Sequence, residues 1–173
     1  KRKLAVVTTL NQWLCAGAAD DFSYLQRSVI EKGETAFEDV DWVFQDGIGY
    51  VFPEPSTVNI KNSKATGSWY AINRQTDSPK DEIALDVFKL WISHGERPSD
   101  QSYQYIVVPA TTVNELEQNT SKNNVTILSN TPEIQAVKHS GLKMCQAVFY
   151  KAGEVQVTDR IKLKCDCPGI VLL

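Results

Sequence analysis

"DVDWVFQDGIGYVFPEP", residues 39–55, sets an Asp-Gly pair between two arms rich in aromatic and aliphatic residues. A two-residue hairpin loop that matches the twist of its strands needs positive φ at both central positions, and Asp-Gly tolerates this. Asp46-Gly47 therefore reads as the turn of a β-hairpin whose arms feed an apolar core. The other reading makes Asp46 a catalytic acid, which needs a second titratable group in reach. Its neighbours Glu38, Asp39 and Asp41 fit a solvated face better, so the turn reading is preferred on local grounds.

The same texture extends both ways. Period-two patterning dominates, and Gly, Asn, Asp, Pro and Ser clusters punctuate it about every ten residues, as in an all-β sandwich and unlike βαβ units. Twelve short strands are expected: residues 4–12, 40–45, 49–53, 57–62, 67–73, 103–109, 125–129, 134–139, 143–152, 154–159, 160–165 and 169–173. That number needs more than one sheet, which predicts antiparallel β-sandwich architecture. "DEIALDVFKLWISHG", 81–95, matches a helix face at Ile83, Val87 and Leu90, but its Val, Phe, Trp and Ile prefer strands, and it is assigned as one long strand. "TTVNELEQN", 111–119, is the one clear helical signal: Thr112 and Glu115 form a capping box before a turn or two. After Pro109 the chain turns polar for about fourteen residues, the best place for a boundary.

At 173 residues the chain can bury a core without metal or disulfide staples. With 42% hydrophobic and 23% charged residues, it is too polar and too interrupted for a membrane span. It opens on Lys1-Arg2-Lys3 with no leader-like stretch and stops on the apolar "PGIVLL", so it reads as a piece of a longer chain whose continuation or partner strand lies elsewhere. Net charge is −3 but uneven: residues 17–46 carry eight acids against Arg27 and Lys32, while residues 138–164 carry six bases against Glu154 and Asp159. Neither stretch has the aromatic interleaving or module signature of a nucleic-acid interface, and solvated strand faces are expected.

Candidate chemistry is sparse. Cys165-x-Cys167 with Cys145 and His139 could be imagined as a zinc set, but the C-x2-C loop spacing is absent, and Cys15, Cys145, Cys165 and Cys167 read as free thiols. Trp42, Tyr50, Trp69, Tyr70 and Trp91 could make a sugar-stacking platform; at strand spacing they are expected in the core, together with Phe52. His94 has no visible partner, and Ser93-His94 adjacency makes no triad without an activated-nucleophile motif. P-loop, GxGxxG and HExxH patterns are missing. Lys61, Lys64, Arg74 and Lys80 against Asp77 form a local basic stretch that could line an anionic groove only if these residues shared a face.

Five blocks carry a resemblance: "TTLNQ" (8–12), "WVFQDGIGYVFPE" (42–54), "TGSWYAIN" (66–73), "KDEIALDVFKLWISHGERPSDQSYQYIVVP" (80–109) and "IQAVKHSGLKMCQAVFYKAGEV" (134–155). In this order they resemble the β region of polysaccharide lyase family 8, the chondroitin AC, hyaluronate and xanthan lyases, and the chondroitin AC type above all. The resemblance implies a parent with a helical toroid, a central β-supersandwich and a smaller C-terminal sandwich. Residues 1–112 would end the supersandwich, 113–128 would connect, and 129–173 would begin the C-terminal domain.

The implied activity is β-elimination at the uronate of acidic polysaccharides such as chondroitin sulfate or hyaluronan. A Tyr assisted by a His removes the C5 proton while Asn and Arg counter the carboxylate charge. Those four lie on the toroid in the family and match no residue here, so no catalytic or metal residue is assigned to this chain and its substrate-binding residues are unknown. No cofactor is expected in it; a calcium site of the parent would come from β segments before Lys1. The implied partners are the toroid and, through the parent, an acidic polysaccharide, with no nucleic acid and no membrane span. The implied location is secreted or periplasmic. The alternative is a free-standing carbohydrate-binding β-sandwich.

Overall fold

A computed structural model describes residues 4–14, 23–25, 28–119 and 124–173. The chain divides into two compact units, residues 1–120 and 121–173. Cys15, Asp20, Asp21 and Arg27 lie outside the described residues.

The first unit is built on one seven-stranded sheet. Its strands are β1 (Val7–Leu14), β2 (Ser23–Leu25), β3 (Ser28–Val29), β4 (Gly33–Gln45), β5 (Ile48–Gly67), β6 (Ile83–Ser93) and β7 (Ile106–Pro109). They run in the order β1-β6-β5-β4-β2-β3, with β7 also on β5. Every pairing is antiparallel.

The quoted stretch folds as its Asp-Gly pair requires. Gln45 pairs with Ile48, and Asp46 (φ 47°) and Gly47 (φ 80°) both take the left-handed backbone of a two-residue turn. Two short strands were expected at 49–53 and 57–62; β5 instead runs unbroken for 20 residues. Pro53 ends the first of those segments and Pro55 lies between them, and proline lacks the N–H a ladder needs. The break is absorbed by register: Val51 pairs with Trp42 and Ser56 with Val40, so the intervening residues sit in an irregularity. On either side of it β5 uses different partners, β7 along 48–51 and β6 along 59–67.

Burial follows alternation. Val58, Ile60, Phe88 and Leu90 are at most 1% exposed and form one core cluster with Ile30, Val40, Val43, Tyr50 and Phe52. Residues from both parts of β5 thus share a core. The expected long strand at 81–95 is present as β6.

The strand expected at 67–73 is not. Residues Trp69–Ile72 form a single helical turn, α1, in the loop joining β5 to β6. Ser68 sits extended as its N-cap and accepts a hydrogen bond from Ala71 N at 3.3 Å, and Asn73 N donates to Trp69 O at 2.8 Å. Local capping wins because strand pairing ends at Gly67 opposite Ile83.

The expected helix appears as α2 (Val113–Asn119). Its capping box is reciprocal: Glu115 N donates to Thr112 Oγ1 at 3.3 Å, and Thr112 N donates to Glu115 Oε2 at 2.9 Å. The helix is tied to the hairpin, since Thr111 N donates to Gly47 O and Leu116, 1% exposed, lies against Gly49.

In the second unit β8 (Val125–Asn130), β9 (Ile134–His139), β10 (Met144–Phe149) and β13 (Gly169–Leu172) form a sheet in the order β13-β10-β9-β8. β11 (Gly153–Thr158) and β12 (Ile161–Cys165) form a separate hairpin. Val155 joins the buried cluster of Ala136, Ala147 and Phe149, with Leu163 packed against it, so the hairpin covers one face of the sheet.

Candidate functional site

The individual candidates mostly resolve into structural roles. Asp46 is exposed in its turn, and Glu38, Asp39 and Asp41 are exposed on β4, so no paired-acid site forms there. His94 is half-buried: its Nε2 lies 2.8 Å from Thr8 Oγ1, its N donates to Val6 O, and its ring lies 5.9 Å from Tyr103. These contacts pin the start of β1 to the end of β6. Ser93 Oγ accepts from Gly95 N in the following turn, at 3.5 Å. Burial, helped by Tyr105, pushes the Tyr50 phenol above its ordinary range and keeps it neutral.

The zinc set does not assemble. Cys145 is buried and paired across the ladder with Lys138, burial raising its thiol pKa more than that cation lowers it. His139 Nδ1 accepts a turn hydrogen bond from Leu142 N at 3.0 Å. Among the described residues no group of three or more His, Cys, Asp or Glu could hold a metal. Nor does the basic C-terminal stretch form a bare cationic surface. Lys151 pairs with Glu133, Lys162 with Glu154 and Lys164 with Asp166, while Lys138 donates to Val157 O.

The aromatic residues divide. Trp42 and Phe52 are core, at 4% and 3% exposure, and Trp91 is half-buried. Trp69 is 57% and Tyr70 38% exposed, which corrects the expected place of both in the core: they belong to the capped turn and to no strand face. Beside it Lys80 Nζ sits 5.1 Å above the Tyr70 ring. The basic stretch also divides, because Lys61 and Lys64 are an odd number of residues apart on β5 and project to opposite faces.

Register creates a grouping that linear reading missed. Opposed residues of antiparallel strands share a face. On the face away from the Phe88–Leu90 core, Trp91 is opposed by Asn59 on β5 and Thr9 on β1, and Lys89 by Lys61 and Gln12. Lys61 is in turn opposed by Glu34 on β4 and bridges to it at 3.2 Å. Lys89 Nζ lies 5.0 Å from the Trp91 ring centroid. The face thus carries an aromatic surface, two ammonium groups and side-chain amides in two adjacent rows.

Residues 1–120 match the model of the polysaccharide lyase family 8 super-sandwich domain, and residues 126–173 match that of the family's C-terminal β-sandwich domain. The chain belongs to polysaccharide lyase family 8. Within the family it is 38% identical over 173 residues to a chondroitinase-AC of Pedobacter heparinus, a match covering 97% of this chain and 23% of that one. A hyaluronate lyase of Enterococcus faecalis is 41% identical over 91 residues, 53% of this chain and 9% of the enzyme.

A solved chondroitinase AC lyase superposes with a TM-score of 0.88 at 35% identity, covering 99% of this chain and 25% of that one. A Paenibacillus xanthan lyase superposes equally well at 18% identity, a likeness of fold. The chain therefore spans about a quarter of the length of the chondroitinases it matches. As a family 8 chain it holds super-sandwich and C-terminal sandwich in tandem, the all-β architecture its sequence blocks imply.

Proposed function

We propose that this chain is the non-catalytic β-sandwich portion of a lyase that cleaves acidic polysaccharides by β-elimination at uronic acid. The observation that carries the reading is the tandem match to the two β domains of one lyase family, with a chondroitinase-AC aligned along 97% of the chain. In the proposed parent a helical toroid supplies the Tyr, His, Asn and Arg that remove the uronate C5 proton and balance its carboxylate charge. The β domains supply the wall against which that toroid docks. No step is assigned to His94 or Tyr103, whose contacts hold strand ends together. Any calcium belongs to β segments of the parent outside this chain, and the parent acts outside the cytoplasm, secreted or periplasmic.

The test compares parent enzyme and isolated chain on chondroitin sulfate, hyaluronan and xanthan, following the ultraviolet absorbance of the unsaturated uronate. Turnover by the parent and none by the chain is expected. Turnover by the chain alone overturns the non-catalytic role, and inactivity of the parent on all three overturns the lyase reading. The rival, a free-standing carbohydrate-binding module, rests on the exposure of Trp69. It predicts glycan affinity that disappears on Trp69→Ala while stability is unchanged.

A further inference from the structure

We infer that the outer face of β1, β6 and β5, centred on Trp91, Lys89 and Lys61, is a docking surface for an anionic polysaccharide. The ligand class rests on the lyase reading above; the place rests on register. Trp91 and Lys89 are two residues apart on β6 and therefore co-facial, and Lys61 stands directly opposite Lys89. Asn59 and Gln12 flank them on the neighbouring strands.

The chemistry fits one class of partner. A pyranose ring has an apolar face that stacks on an indole, and the half-buried Trp91 offers part of one. Lys89 Nζ lies over the indole face, 5.0 Å from its centroid, so a sugar stacking there moves the ammonium to the rim, where it meets a carboxylate or sulfate on that ring. Lys61 is engaged by Glu34 at 3.2 Å, but both side chains are about half exposed, at 49% and 57%. Such a pair is worth little in water and can be exchanged for a ligand anion. Lys61 and Lys89 stand against Glu34 alone among the paired positions of these rows, so the local charge favours an anion. Strands about 4.8 Å apart set the flanking amides within reach of one sugar ring.

The test titrates chondroitin sulfate oligosaccharides, hyaluronan oligosaccharides and neutral dextran fragments into the chain at two salt concentrations. Lys61→Gln/Lys89→Gln and Trp91→Phe variants are titrated alongside after their melting curves are matched to the wild type. The expected result is low-salt binding of the acidic glycans, fading as salt screens the charges over about 8 Å, and none of dextran. The double variant is expected to lose about tenfold in affinity, the scale of two exposed ion pairs. Should it fail to fold, Lys61→Gln alone, at an exposed position, is expected to lose about threefold.

Unchanged affinity in the lysine variants, equal binding of dextran, or no binding by wild type overturns the assignment. Amine labelling of the parent enzyme is the second arm. Lys89 reactive in the isolated chain but protected in the sugar-free parent means that protein covers this face, which also overturns it. Parent inactivity on every acidic polysaccharide, with lysine-dependent binding intact, overturns the lyase reading and leaves the docking surface standing.

Discussion

Gly49→Ala is expected to destabilise the first unit through a single side chain, Leu116. A Cβ built on Gly49 falls 2.5 Å from Leu116 Cδ2, 2.9 Å from Cδ1 and 3.2 Å from Cγ. Ordinary contact begins near 3.4 Å, so Leu116 must move, and at 1% exposure it has little space to move into. Overpacking of this kind costs about 1–3 kcal/mol, offset by about 0.4–1 kcal/mol from the smaller backbone freedom of Ala in the unfolded chain. Leu116→Ala alone removes a buried side chain and costs about 2–5 kcal/mol.

In the double variant the new methyl at 49 enters space that Leu116 has vacated. The two losses then fall short of their sum by about 1–2 kcal/mol. Urea unfolding followed by tryptophan fluorescence reads this unit selectively, because Trp13, Trp42, Trp69 and Trp91 all lie within residues 1–120. Additivity within about 0.5 kcal/mol refutes the docking of α2 on the hairpin.

Gly47→Ala places a Cβ at φ 80° and is expected to cost about 1–2 kcal/mol, seen as a lower urea midpoint; an unchanged midpoint contradicts the turn geometry. Trp42→Ala is expected to cost about 3–5 kcal/mol, and Trp69→Ala, at an exposed turn, under about 1 kcal/mol; equal losses refute the burial contrast. The hydrogen bond from Lys151 holds the Glu133 carboxyl below its ordinary value of 4.5. Its stabilisation is thus present above the unfolded-state value and lost as pH falls through the lowered folded one. Glu133→Gln is expected to lower thermal stability slightly at pH 7, to change it least in acid below the lowered folded value, and so to flatten the acid limb; an acid limb identical to wild type, followed by circular dichroism, refutes it.

What the sequence disclosed and what it withheld follow from the range of each interaction. Asp46-Gly47 and Thr112-x-x-Glu115 are satisfied within a few residues, so turn and helix cap are legible and appear as read. The β6 assignment is legible because β-preferring residues outweigh a weak helical period. The unbroken β5 is not: Pro53 and Pro55 argue locally for a break, and only the register jump against β4 shows how one strand accommodates them. Strands β2 and β3, of three and two residues, are too short to leave a period. Trp69 leaves the strand pattern because the Ser68 cap, itself present in the sequence, outweighs the β-preference of Trp69-Tyr70.

The candidate surface shows the same limit from the functional side. Alternation alone separates Lys61 from Lys64, but nothing local brings Lys61 to Lys89 across 28 positions of sequence. That meeting is fixed by the opposite face of the same strands. A slip of one residue between β5 and β6 would turn Phe88 and Leu90, both fully buried, to the outer face and bring Lys89 and Trp91 into the core. Burying two such side chains is worth about 1.5–3 kcal/mol each, a sizeable share of a domain's net stability of about 5–15 kcal/mol. The core therefore sets the register, and the register sets which charged and aromatic groups share the outer face. A truncation at Phe88 that loosens this register is expected to scatter the Trp91–Lys89–Lys61 grouping without touching any of its members.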